Sequence, residues 1–322
     1  MTYGQGRGAV IAGPRQLTIQ SFDLQHPGSG QALVALEGCG VCHSNLPAWE
    51  GREWFRYPLP RGNPGHEGWG RIVAVGDGTH ELRPGDRVAF LSSSAYASHD
   101  VIDASSAVKL PADLDGMPFP GEPIACAMNI FKRAAIEPRH TVAIIGIGFL
   151  GALLTRLCAH AGARVIAIAR RAFSQQLARE SGAELVVPMD DHGAIIARVR
   201  DATRGALCER TIEAVGEQWP LDLAAELTGE RGKLVIAGYH QDGPRQVNMQ
   251  LWNWRGLDVV NAHERDPAVY VDGMRRAVEA TVAGVIDPRP LLSQCYPLER
   301  LGDALDAVKS RPGNFVKAWV RP

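Results

Sequence analysis

Residues 141–158 read TVAIIGIGFLGALLTRLC. Thr141–Ile145 is a continuous apolar run of strand length, and Gly146, Gly148 and Gly151 follow it. Leu150, Leu153, Leu154, Leu157 and Cys158 then fall at i, i+3, i+4, i+7 and i+8, the single apolar face of a helix. The alternation continues downstream. Strands are expected at Arg164–Ala169, Leu185–Val187, Arg210–Ala214, Lys233–Gly238 and Leu257–Ala262, with helices over 174–181, 192–203 and 219–228 between them. Six strands interleaved with helices predict an α/β fold with a parallel, doubly wound sheet. Upstream the texture differs. Short β-rich stretches (Ala32–Leu36, Arg71–Val75, Arg87–Phe90) are broken by turns such as His26-Pro27-Gly28 and Arg83-Pro84-Gly85-Asp86, predicting a small irregular β-barrel. Helices over 267–283 and 299–309 and a strand Phe315–Val320 close the chain.

A length of 322 residues sets a prior of two domains. Lys and Arg number 34 against 35 Asp and Glu, a formal charge of −1, so the basic excess that a phosphate backbone demands is missing and nucleic acid is not an expected partner. Hydrophobic residues at 45% and charged residues at 21% fit a globular protein with a full core. The longest apolar run, Val142–Leu154, contains glycines and is too short to span a bilayer, and MTYGQGRGAV lacks the apolar core of a secretory signal. Of six cysteines only Cys39 and Cys42 are closely spaced, so no disulfide framework is expected and a reducing cytoplasm is the expected location.

Gly146-x-Gly148-x-x-Gly151 sits where a dinucleotide fingerprint must, after an apolar strand and at the start of an apolar-faced helix. Such a loop gives a tight turn, lets a pyrophosphate approach the backbone, and packs the helix on the strand. The alternatives are a nucleotide-free glycine turn and a methyltransferase loop. The second strand ends Ala169-Arg170-Arg171, with no carboxylate for a ribose 2′-hydroxyl and two guanidiniums suited to a 2′-phosphate; NADP is expected ahead of NAD. Cys39-Gly40-Val41-Cys42 precedes the parallel sheet, unlike a thioredoxin-type pair, and no second Cys-x-x-Cys exists to complete a zinc ribbon. Cys42, His43, Ser44 and the downstream Gly65-His66-Glu67 instead supply a thiolate, an imidazole and a carboxylate, the ligand types of an open catalytic zinc site.

Cys42-His43-Ser44-Asn45, Gly65-His66-Glu67-Gly68-Trp69-Gly70, Gly85-Asp86-Arg87-Val88, Glu122-Pro123-Ile124-Ala125-Cys126, the glycine fingerprint and Ile212-Glu213-Ala214-Val215-Gly216 occur in that order. The set covers nearly the whole chain and resembles the zinc-dependent medium-chain dehydrogenase/reductases, the alcohol and polyol dehydrogenase superfamily. The resemblance implies a GroES-like catalytic domain over 1–121, completed by 265–322, and a Rossmann domain over 122–264. It implies Cys42 and His66 as zinc ligands, Glu67 as a ligand or its close neighbour, Glu122 at the polyol-type ligand position and Cys126 as a further candidate. It implies Ser44 as the proton carrier. For the cofactor it implies His43 and Lys317 near the phosphates, with Gly146, Gly148, Phe149, Leu150, Gly151, Arg170, Arg171, Val215 and Gly238 around the dinucleotide.

The chain also departs from that pattern. The four-cysteine lobe of a structural zinc is absent after Val88, so one zinc per chain is expected. Asn45 replaces the usual aspartate behind the metal, and no histidine extends the proton relay near Pro47. The expected reaction is interconversion of a secondary alcohol and a ketone, with hydride passing to or from NADP (alternatively NAD), in a homodimer or homotetramer. A zinc-free double-bond reductase and a non-catalytic NADP-binding module are the alternatives. Trp49, Trp54, Phe55, Tyr57, Trp252 and Trp254 are candidates to wall a substrate pocket or to fill the core.

Overall fold

A computed structural model describes residues 4–322. The chain divides into two compact units. One comprises the chain up to Ala125 with Asp266–Val282 and Asp287–Pro322; the other comprises Cys126–Arg265 with Ala283–Ile286.

The second unit is built on six parallel strands. Across the sheet they run Leu185–Pro188, Arg164–Ala169, Thr141–Ile145, Cys208–Glu213, Thr228–Ile236 and Asp258–Asn261. Counted within the unit this is 3-2-1-4-5-6. The order reverses between Thr141–Ile145 and Cys208–Glu213, and ligands bind outside the carboxyl ends of such a pair. Ile144 and Ile145 are both fully buried, which requires helices on both faces and explains the unbroken apolar run. The helices between the strands are Phe149–His160, Ala172–Glu180, His192–Ala202, Gln218–Leu227 and the short Met249–Arg255. The fifth strand starts earlier than the sequence indicated. Thr228 leaves the helical region at ψ 123, and Gly232 lies where a Cβ would meet Gly229 O at 2.8 Å, so this segment turns directly from helix into strand.

The first unit carries the strands Gln294–Pro297, Ala318–Arg321, Gln31–Gly40, Glu67–Val75, Arg87–Phe90 and Ala107–Lys109 in that spatial order, with His99–Asp103 also paired to Gln31–Gly40. The final strand is antiparallel to Gln31–Gly40, with Trp319 opposite Gly40 and Val320 opposite Cys39. Residues about 280 positions apart in the chain therefore share one sheet. A hairpin, Gln5–Gly13 with Gln16–Asp23, precedes it. Trp49 is core and donates from Nε1 to Asp306 at 2.8 Å, and Phe55 and Tyr57 pack on that core. Trp252 packs on the core of the second unit, whereas Trp54 and Trp254 are exposed. Among the described residues no helix is long and apolar enough to cross a membrane.

Candidate functional site

The register between Gln31–Gly40 and Glu67–Val75 decides which side chains meet. Gly40 lies opposite Glu67 and Cys39 opposite Gly68. The chain leaves one strand after Gly40 and enters the other from Gly65, so Cys42 and His66 emerge side by side although 24 positions apart. Cys42 precedes a short turn, His43–Asn45, which feeds the helix Leu46–Glu50. Among the described residues, one group has metal-ligand atoms all within 4.8 Å of one another: Cys42, His66 and Glu67.

The ring of His66 is aimed by its surroundings. Nδ1 lies 2.9 Å from Pro64 O, which can only accept, so Nδ1 holds the proton and Nε2 is the lone pair left for a cation. Asn45 is buried and holds the rest of this corner. Its Nδ2 donates to Pro64 O at 3.2 Å, and its Oδ1 accepts from Tyr96 Oη at 2.6 Å and from Cys42 N at 3.3 Å. The 3.5 Å approach of Nδ2 to His66 Nδ1 places donor against donor and is packing. Asn45 thus braces both ligands without adding charge. Tyr96, Pro64 O and Gly40 were not legible as site residues, because their roles depend on where distant backbone comes to lie.

Glu67 has no solvent exposure, and Lys317 is 7% exposed. Lys317 Nζ donates to Glu67 Oε1 at 2.8 Å and stands 2.7 Å from Oε2, although Oε2 has no aligned donor. Gly40 opens the space, since a Cβ there would fall on Glu67 Oε2. The ammonium is therefore not presented to solvent. The pairing of Ala318–Arg321 with Cys39 and Gly40 carries its side chain beneath the metal-side carboxylate instead. Burial opposes the charge of Lys317, but Glu67, with Cys42 and Glu122, outweighs it and holds the ammonium above the ordinary lysine range. His66 shows the same contest. Burial lowers it, while hydrogen bonding and charge from Cys42, then Glu122 and Glu67, raise it to about 10. The metal-free pocket therefore concentrates negative charge and retains a proton on the imidazole. Cys39, by contrast, is buried and its thiol is pushed well above its ordinary range, first by burial and then by Glu67. It does not join the ligand group.

Glu122, on the helix Gly121–Ala134, lies outside the triangle, although its charge is felt at His66. Cys126, one turn along that helix, lies outside it too. Ser44 is half-buried in the turn after Cys42, and His43 beside it is exposed. One sulfur, one oriented imidazole and a carboxylate oxygen without an aligned donor form a set that fits zinc.

In the second unit the three fingerprint glycines have separate physical reasons. Gly146 has φ +92, and a Cβ there would also strike Val215. A Cβ on Gly148 would meet nothing within 4 Å, which is the open approach a pyrophosphate needs. On Gly151 it would collide with Gly146 O, so the glycine permits the close helix–strand contact. Phe149 and Leu150 begin the helix that points at this opening. Ala169 ends its strand buried, Arg170 is exposed, and Arg171 precedes the next helix. Val215 and Gly216 follow the fourth strand and lie beside Gly238.

A family model described as zinc-binding dehydrogenase matches residues 150–278, and one described as alcohol dehydrogenase GroES-like domain matches residues 28–113. Alcohol dehydrogenase notN of Aspergillus sp. (strain MF297-2) is 26% identical over 336 residues, covering 93% of this chain and 93% of that protein. Sorbitol dehydrogenase of Homo sapiens is 25% identical over 346 residues, covering 94% and 93%. A Sinorhizobium meliloti 1021 protein described as a zinc-binding dehydrogenase, solved bound to NADP, matches with a TM-score of 0.84 at 23% identity, covering 99% of this chain and 100% of that one, and so has the same fold.

Proposed function

This chain belongs to the zinc-type medium-chain dehydrogenase/reductase superfamily, with a GroES-like domain and a Rossmann-like sheet, and from that premise we propose that it interconverts a secondary alcohol or polyol and the ketone with NADP, using one zinc held by Cys42, His66 and Glu67. At the coarser level it is an alcohol-dehydrogenase-type, NAD(P)-dependent oxidoreductase acting on a small-molecule alcohol. The observation that carries the finer reading is the donor triangle, in which the buried Glu67 Oε2 lacks an aligned donor beside a thiol and a pre-oriented imidazole. Glu122 is the neighbouring carboxylate that would take part if Glu67 stays with Lys317.

When bound, zinc supplies Lewis-acid stabilisation of the alkoxide and the dinucleotide supplies the hydride acceptor. The chain's own residues do the remainder. Ser44, two positions from Cys42, takes the hydroxyl proton. Lys317 offsets the charge of Glu67, so the buried carboxylate does not stand alone. Pro64 O and Asn45 fix the orientation of His66 and of the Cys42 turn. Gly148 leaves room for the pyrophosphate at the helix N-terminus, and Arg170 and Arg171 receive the 2′-phosphate. The exposed His43 adds a donor toward the phosphates. We assign the enzyme to the cytoplasm as a homodimer or homotetramer, in keeping with its family resemblance.

Metal analysis of the purified protein, followed by a panel of simple alcohols, polyols and cyclitols with each dinucleotide at the nicotinamide absorbance, tests this reading. The expected result is zinc near one per chain, lost in a folded Cys42→Ala variant together with turnover. Full turnover in that variant would instead favour a zinc-free reductase.

A further inference from the structure

Glu213 ends the fourth strand of the second unit with no solvent exposure. Its Oε1 accepts from Val215 N at 2.7 Å and Gly216 N at 2.8 Å, and its Oε2 lies 3.1 Å from His240 Nε2. Arg245 Nε donates to His240 Nδ1 at 2.9 Å. A guanidinium nitrogen has no lone pair to offer, so Nδ1 must be the acceptor and Nε2 the protonated nitrogen that donates to Glu213. Arg245 thus reaches the buried carboxylate through the imidazole. Arg245 also donates from Nη2 to Gly216 O at 3.0 Å and pairs with Asp242. Beyond it, Gln246 exchanges two hydrogen bonds with Gln218, at 2.8 and 3.0 Å, which ties the segment to the helix Gln218–Leu227.

This network reaches the fingerprint through close backbone contacts. Gly216 has φ +92, and a Cβ there would meet Tyr239 O at 2.6 Å. On Gly238 it would meet Glu213 Oε2 at 2.7 Å. Residues 214–216 and 238–240 are therefore pressed together, and Val215, held through Glu213, rests against Gly146. We propose that His240 and Arg245 are positioning residues for the dinucleotide, fixing these two loops so that the fingerprint glycines stay open to the pyrophosphate. The inference rests on the dinucleotide reading given above.

Dissociation constants for NADP and NAD on the zinc-loaded protein test it, with thermal midpoints measured alongside. His240→Phe keeps the ring volume but neither donates to Glu213 nor accepts from Arg245, and is expected to weaken the preferred dinucleotide about tenfold. His240→Gln can do both and is expected to restore binding to within about threefold. Arg245→Met should resemble His240→Phe, and it decides the matter if that variant does not fold. A merely structural role would lower the midpoint and leave the constants of the folded protein unchanged. Wild-type constants in His240→Phe or Arg245→Met, or a Gln variant as weak as the Phe variant, would overturn the proposal. Absence of binding of either dinucleotide to the wild type would overturn the dinucleotide reading itself, and this proposal with it.

Discussion

Lys317→Met replaces the ammonium hydrogen-bonded to a fully buried carboxylate with an apolar chain of similar length. Nζ lies 2.8 and 2.7 Å from the two oxygens of Glu67, an attraction of about 6 kcal/mol at an effective dielectric near 20. Desolvation offsets much of that in the intact pair, but removal of one partner leaves the other charge buried, typically at about 3–5 kcal/mol. The metal-free variant should therefore lose roughly 3–5 kcal/mol at pH 7. Urea unfolding of the metal-free protein, followed by tryptophan fluorescence, measures this. Trp49 and Trp69 report from the buried interior of the same unit. Glu67→Gln added to Lys317→Met should recover most of the loss, since no unpaired charge then remains. A single variant within 1 kcal/mol of wild type at pH 7, or a double variant no more stable than the single one, would refute the reasoning.

Ser44→Ala should lower turnover by about 10²–10⁴-fold with little change in substrate affinity, and an unchanged rate at a chemically limited step would reject the proton-carrier role. Ala169→Asp should move preference from NADP toward NAD, and Arg170→Ala should weaken NADP about tenfold or more while sparing NAD; equal or tighter NAD binding by the wild type at one ionic strength would reject the NADP assignment. Cys42, Glu122 and Glu67 raise His66 from 6.5 to about 10 in the metal-free protein and zinc must displace its proton, so competition with a chelator of known affinity should show zinc affinity rising with pH by about tenfold per unit between pH 6 and 8. The same proton stabilises the metal-free fold fully below 6.5, and that contribution is lost as pH rises through about 10; a flat affinity profile would contradict the charge balance of the pocket.

What the sequence made legible was whatever depends on local period or on consecutive spacing. The apolar strand, the glycines and the helix face of residues 141–158 lie within one unit of chain, and all six parallel strands follow from the same alternation. The helix Gly121–Ala134 escaped because Gly121-Glu122-Pro123 reads as a turn, although Pro is tolerated in the first turn of a helix, where no intrahelical donor is lost. The ligand types at Cys42 and His66 were legible, but their meeting is a product of strand register, which a one-residue slip would reverse. Lys317 is the clearest case of what local reading lacks. Its chemical type fitted a phosphate partner, but direction is not encoded in type. The antiparallel contact of Trp319 with Gly40 turns it inward, beside the buried Glu67. The same reasoning applies to His240, which touches Glu213 from 27 positions away. In both places a buried carboxylate fixed by the sheet meets a nitrogen donor from distant chain, so the residues that tune each site were chosen by burial and had to be found in three dimensions.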